Sequence, residues 1–193
     1  KRIRKWFRGY VHFKILPGTD KDLIKQASEL ADRMSINIEA PNKLQMHELS
    51  STKEFKTDIL RRQAWIKKTG ISQTTQMIVG NNSSDKDVLR MARWQYDNMG
   101  LSRLYYSSFV PVKGTPMEKE KAVSKSRERR LYNIDFMHRK YGYDLREFDK
   151  VMDNGMLPRE DPKISLARKM PKVGLDASYE QLLRVPGIGP KTA

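Results

Sequence analysis

Cysteine is absent from this 193-residue chain. No disulfide, thiol nucleophile or cysteine-ligated zinc or iron–sulfur site can form within it. Histidine is scarce, and His12, His47 and His138 stand far apart without ligand spacing, so no metal motif is present. No apolar run approaches the roughly 18 residues that span a bilayer, and no signal peptide is recognisable. The chain therefore reads as soluble and cytoplasmic. Acidic residues are also in short supply: 23 stand against 38 lysines and arginines, a formal charge of +15. Such a balance points to a polyanionic partner, with a solubilising charge excess as the alternative. Nucleic acid comes ahead of membrane, because no amphipathic stretch is long and uniformly basic. The sequence begins without methionine and closes where a helix should be starting. It is expected to be part of a longer protein.

Against these absences, a strand followed by a helix repeats four times. "GYVHFKIL" (Gly9 to Leu16) stops at the Pro17-Gly18 turn. The helix after it places Leu23, Ile24, Ala27, Leu30 and Ala31 on one face, and Thr19 with Asp22 has capping-box spacing. "MSINIEA" (Met34 to Ala40) is the second strand. Its helix starts near Ser51 and buries Phe55, Ile59 and Ile66. The third unit is "TTQMIVG" (Thr74 to Gly80) with a helix from about Ser84 to Gly100. The fourth is "RLYYSSFVPV" (Arg103 to Val112) with a helix around Ser126 to Tyr141. Strands about 30 residues apart with helices between them indicate an α/β fold with a parallel sheet, either part of an open sheet or an incomplete barrel. After Tyr141 only short helical segments follow. The expected organisation is residues 1–143 as the βα part and 144–193 as a small all-helical tail.

Ligands on parallel sheets gather at the carboxyl ends of the strands. Those ends carry Asn37 and Glu39, then Gln76 to Gly80 with Asn81 and Asn82, then Ser107, Ser108 and Phe109. Asn37 and Glu39 are two apart, so in a strand they share a side. They either line a ligand site, or cap neighbouring helices or pair with a nearby lysine. Gln76 is in phase with Ile78 and Gly80. "VGNNSSD" has too few glycines for a dinucleotide fingerprint or a P-loop, and no nucleophile–base triad is spaced for catalysis. The terminal "VPGIGPK" is more specific. Gly187 and Gly189 permit a backbone whose amides, with that of Ile188, point outward as an anion-binding nest. Lys191 adds a point charge and Thr192 a hydroxyl. A helix starting there aims its amides at the same phosphate. Such contacts hold a backbone and carry no base sequence.

"LLRVPGIGPKTA" resembles the helix-hairpin-helix motif of DNA-binding proteins. Over nearly its whole length the chain also resembles the DNA modification/repair radical SAM proteins. That resemblance rests on "GYVHFKILPG", "LADRMSINIEAPN", "TTQMIVG", "LSRLYYSSFVPVKGTP", "RERRLYNIDFMHRKYGY", "DPKISLAR" and the terminal hairpin, in that order. It implies that the four strands are the third to sixth of a six-stranded partial (β/α) barrel, followed by the helical tail. It further implies S-adenosylmethionine (SAM) and a [4Fe-4S] cluster as cofactors, a 5′-deoxyadenosyl radical as reagent, and DNA as partner. Asn37 and Glu39 then fall where SAM's ribose and methionine parts bind. Gln76, Ile78 and Gly80 fall against adenine, and Ser107, Ser108 and Phe109 beside it. The three cluster cysteines would lie on an N-terminal segment before Lys1, so this chain alone should neither bind the cluster nor turn over. Two other readings stand beside this one: a non-catalytic DNA-binding module, and a helix-hairpin-helix glycosylase/lyase using Lys191 as nucleophile.

Overall fold

Short runs of β-branched, aromatic and polar residues form four strands: β1 (His12–Lys14), β2 (Arg33–Ser35), β3 (Ser72–Val79) and β4 (Leu101–Ser108). The computed structural model describes residues 2–80, 82–174 and 176–193, so Asn81 of the third strand-end loop lies outside them. The strands lie in the order β1-β2-β3-β4. β1 runs parallel to β2, and β2 to β3. Helices separate them: α1 (Lys21–Ser28), α2 (Lys43–Leu49), α3 (Arg61–Lys68) and α4 (Asp85–Met99). Then come α5 (Lys125–Tyr141), a 3-10 turn (Leu145–Val151), α6 (Pro162–Ala167) and α7 (Tyr179–Leu182). Among the described residues no helix is long and apolar enough to cross a membrane.

The chain divides into two compact units, residues 1–78 with 91–107 and residues 79–90 with 108–193. This division differs from the boundary expected at residue 143. Helix α5, which that boundary groups with the strands, packs on α6 in the second unit.

In the first unit α1 packs on α3, as right-handed crossovers between sequentially ordered parallel strands require. Ile24, Ile59, Ile66, Met34 and Met77 are fully buried. On β3, Met77 is buried while Gln76 and Ile78 stay half-exposed, the alternation expected from the sequence. Three local expectations change. Thr19 does not cap α1: its hydroxyl donates to the Leu16 carbonyl at 2.7 Å, and Asp20 takes the N-cap place without a side-chain bond. Asn42 caps an additional helix, α2, by accepting from the Gln45 amide at 3.0 Å. The helix expected from Ser51 instead begins as a π-helical segment, Phe55–Leu60, that runs into α3.

A fourth change lies at the second strand's end. β2 pairs Ser35 with Thr74, but the next bridge joins Glu39 to Met77, one residue out of step. Between them the buried Thr75 hydroxyl donates to the Ile36 carbonyl at 2.7 Å and accepts from the Ile38 amide at 3.1 Å. A side chain thus closes the gap that a bulge opens in the ladder. Glu39 sits at φ 60°, a left-handed conformation uncommon outside glycine. Through this stretch Ile36, Ile38 and Ala40 are fully buried while Asn37 and Glu39 stay half-exposed.

Candidate nucleic-acid interface

The C-terminal hairpin is built from local rules. Ser178 and Gln181 form a reciprocal capping box that starts α7: the Ser178 hydroxyl accepts from the Gln181 amide, and the Gln181 side chain accepts from the Ser178 amide. The helix ends in a turn where the Ile188 amide donates to the Val185 carbonyl at 3.1 Å. Pro186 supplies the fixed φ of the first central position. Gly187, at φ +83°, supplies the positive φ that the second position of a type II turn demands. Gly189 then accepts from the Thr192 and Ala193 amides, both at 2.9 Å, which begins a second helical turn with Pro190 in its first place. The backbone amides of Gly187, Gly189 and Lys191 donate to no acceptor among the described residues. Lys191 and Thr192 are exposed, and no acidic residue follows Glu180. A surface of free amides with a cation beside it suits a phosphate.

Three contacts fix this hairpin on the second unit. Leu183 is 3% exposed, and Leu182, Val185 and Ile188 are half-buried beside it. Arg184 makes a two-pronged ion pair with Glu147, at 2.5 and 3.1 Å, and its guanidinium lies 4.6 Å from the Tyr143 ring centre. Burial pushes the Tyr143 hydroxyl up to about 12. Lys163 donates to the Ile188 carbonyl at 2.6 Å and sits 5.0 Å over the Tyr141 ring. Burial lowers the Lys163 pKa, with Asp161 opposing.

The Glu147 pair gives the anchor a pH dependence. Burial alone raises the Glu147 carboxyl, but the Arg184 hydrogen bonds, the Asp144 amide and the nearby cations outweigh it, and its pKa lies below the usual glutamate value. The unfolded chain therefore takes this proton first as pH falls. The contribution is fully present above the ordinary glutamate range and is lost as pH drops through the lowered folded value. Glu147→Gln should flatten this part of the acid limb in a pH series of urea unfolding curves. An unchanged acid limb counts against the anchor.

Residues 174–193 match the helix-hairpin-helix motif. The match supports binding of nucleic acid by the C-terminal segment. No curated protein matches the chain at a meaningful level of similarity.

The expected site residues fall into several places. Gly187, Ile188, Gly189, Lys191 and Thr192 all lie in the helix-hairpin-helix segment. In the first unit, Gln76 and Ile78 of β3 and Arg103, Tyr105 and Ser107 of β4 are half-buried, with the Arg103 guanidinium 4.7 Å from the Tyr105 ring centre. Asn37 and Glu39 are half-buried in the irregular stretch after β2. In the second unit the backbone groups of Gly80, Ser108 and Phe109 are largely engaged within the protein. The Ser108 amide and hydroxyl both donate to Glu128, at 2.6 and 2.7 Å. Burial alone raises the Glu128 pKa, but these bonds and Lys125 bring it below the usual value. The Phe109 amide donates to the Val79 carbonyl, and its carbonyl accepts from the Val123 amide. The Gly80 amide and carbonyl both bond the Ser83 hydroxyl.

Sequence reasoning missed what holds that loop. Arg127 donates through Nε to the fully buried Asp85 carboxylate at 2.8 Å, through Nη1 to the Gly80 carbonyl at 2.8 Å, and through Nη2 to the Ser83 carbonyl. The other Asp85 oxygen accepts from the Leu157 amide at 2.9 Å. An Asn154-Gly155 turn presents Leu157, with Asp153 and Met156 exchanging both backbone hydrogen bonds and both central residues at positive φ. The Asn-Gly pair was a readable signal for that turn.

Proposed function

We propose that this chain is part of a radical SAM enzyme acting on nucleic acid, in DNA repair or modification, with the C-terminal hairpin as a sequence-blind grip on the phosphate backbone. The observation that carries the nucleic-acid half is the set of free amides at Gly187, Gly189 and Lys191, in a segment that matches the helix-hairpin-helix motif. The catalytic half is supported by the seven segments that resemble the radical SAM family in register. Sequential parallel strand order also agrees with a barrel wall, since a doubly wound sheet reverses order at a switch point.

The cofactors fit unequally. The cluster does not fit this chain: cysteine is absent, and among the described residues no group of His, Asp or Glu is gathered to hold a metal. Its ligands belong to a segment outside this sequence, and no step is assigned through it. SAM fits better. In the first unit Asn37, Glu39 and Gln76 carry polar side chains suited to its ribose and methionine groups, with Ile78 as an apolar contact for adenine. When bound, SAM supplies the group that abstracts hydrogen from substrate.

The engaged backbone of Gly80, Ser108 and Phe109 favours a second reading, a DNA-binding module without chemistry of its own. Anaerobic iron–sulfide reconstitution of the protein with its upstream sequence separates the two, followed by an assay for 5′-deoxyadenosine with and without duplex DNA. The enzyme reading expects DNA-stimulated release. An upstream sequence lacking a CxxxCxxC loop, or a cluster-loaded protein that releases none, leaves the module reading.

A further inference from the structure

The first 14 residues contain six cations, and no acidic residue precedes Asp20. Four aromatics fall between Trp6 and Phe13, and all are unusually open: Trp6 is 76% exposed, Tyr10 60%, Phe13 46% and Phe7 40%. Exposed aromatic rings among unpaired cations ordinarily carry a solvation penalty that a partner removes. The segment is not a loose tail. Arg4 uses its three donor nitrogens on the Leu30 carbonyl (2.7 Å), the Gly9 carbonyl (2.7 Å) and Asp32 (2.6 Å), and Asp32 also accepts from the Val11 amide at 2.7 Å. The Phe7 ring lies over Gly9 so closely that a Cβ there would meet its Cζ at 2.5 Å. Phe7 thus packs the turn, while Trp6 and Tyr10 remain as open rings. Arg33 stands 5.7 Å from the Tyr10 ring centre. Arg2, Lys5 and Arg8 are exposed beside them.

We infer that this patch, Arg2, Lys5, Trp6, Arg8 and Tyr10, is a second nucleic-acid contact that takes unpaired bases, stacking them on Trp6 and Tyr10 while the cations hold the phosphates. The inference rests on the nucleic-acid half of the proposed function and not on its radical chemistry. Charge decides the occupant: a cationic segment without acids fits a polyanion. Open aromatic faces fit bases that are not already stacked in a duplex. The turn of the terminal hairpin, residues 185–191, offers amides and a lysine and carries no aromatic residue, which suits a duplex backbone.

The test measures binding of a 12-nucleotide oligothymidylate and a 12-base-pair duplex to the 193-residue chain over a salt series. Trp6→Ala with Tyr10→Ala should weaken oligothymidylate binding at least about tenfold and change duplex binding less than about twofold. Arg2→Ala, Lys5→Ala and Arg8→Ala together should lower the salt slope on the single strand by about 2. Trp6→Phe should restore most of the loss that Trp6→Ala causes. Equal losses on both ligands, or none, overturn the inference. So does a Trp6-dependent association with phosphatidylserine vesicles, or a Trp6-dependent dimer, without an effect on oligothymidylate. Failure of the proposed function looks different, since the wild-type chain then binds neither nucleic acid.

Discussion

Replacing Arg127 with methionine should lower the unfolding free energy of the second unit by about 3–5 kcal/mol, the range for breaking a buried ion pair by removing one partner. The Asp85 side chain is fully buried, and Arg127 is 9% exposed. Without the guanidinium, among the described residues Asp85 keeps only the Leu157 amide, the Ser83 carbonyl loses its donor, and the Gly80 carbonyl is left to Ser83. The cost comes from the stranded charge more than from the lost attraction. Asp85→Leu combined with Arg127→Met should therefore be markedly less destabilised than Arg127→Met alone. Urea unfolding of the wild type, both single variants and the double variant supplies the comparison. A loss under about 0.5 kcal/mol for Arg127→Met, the level of an ordinary surface change, means the pair does not organise this unit.

Gly187→Val with Gly189→Val should abolish most duplex binding, and equally for every sequence. The two positions contribute differently. Gly187 has open space around it, so a side chain there meets no clash, but at φ +83° it is strained by about 1–2 kcal/mol and pushes the turn away from type II. Gly189 shows no positive φ, and a Cβ would make only an ordinary 3.6 Å contact with the Tyr141 hydroxyl. Its replacement leaves the turn intact while crowding the amide face. A hydrogen bond to a charged group is worth about 1.5–3 kcal/mol, so losing one lowers affinity about tenfold or more. Gly189→Ala alone is the cleaner variant, because it should weaken binding without moving the melting temperature. Loss confined to some sequences contradicts backbone recognition.

Features governed by neighbours in sequence were legible. The strand–helix alternation, the buried face around Ile24, Ile59 and Ile66, the exposed phase of Gln76 and Ile78, and the hairpin's apolar side all follow from periodicity. The type II turn follows from Pro186-Gly187. What escaped depended on partners far along the chain. Thr75 reads as an ordinary strand residue, yet its hydroxyl closes a ladder gap 37 to 39 residues away and shifts the register before Glu39. Asp85 looks like a first-turn acid favoured by the helix dipole, and its burial shows only once Arg127, 42 residues later, folds against it. Thr19 had capping spacing, but its hydroxyl found the Leu16 carbonyl first. The basic opening enters the sequence reading only through the net charge. Its open rings became informative once Arg4 and Asp32 were seen to pin them in place.

The most direct test of the account is an amide NMR titration of the chain with two short duplexes of unrelated sequence. The amides of Gly187, Gly189 and Lys191 should shift first and along the same path for both duplexes, and should return toward their free positions as salt is raised. Duplex binding that leaves those three amides unmoved contradicts the hairpin as the site of backbone recognition.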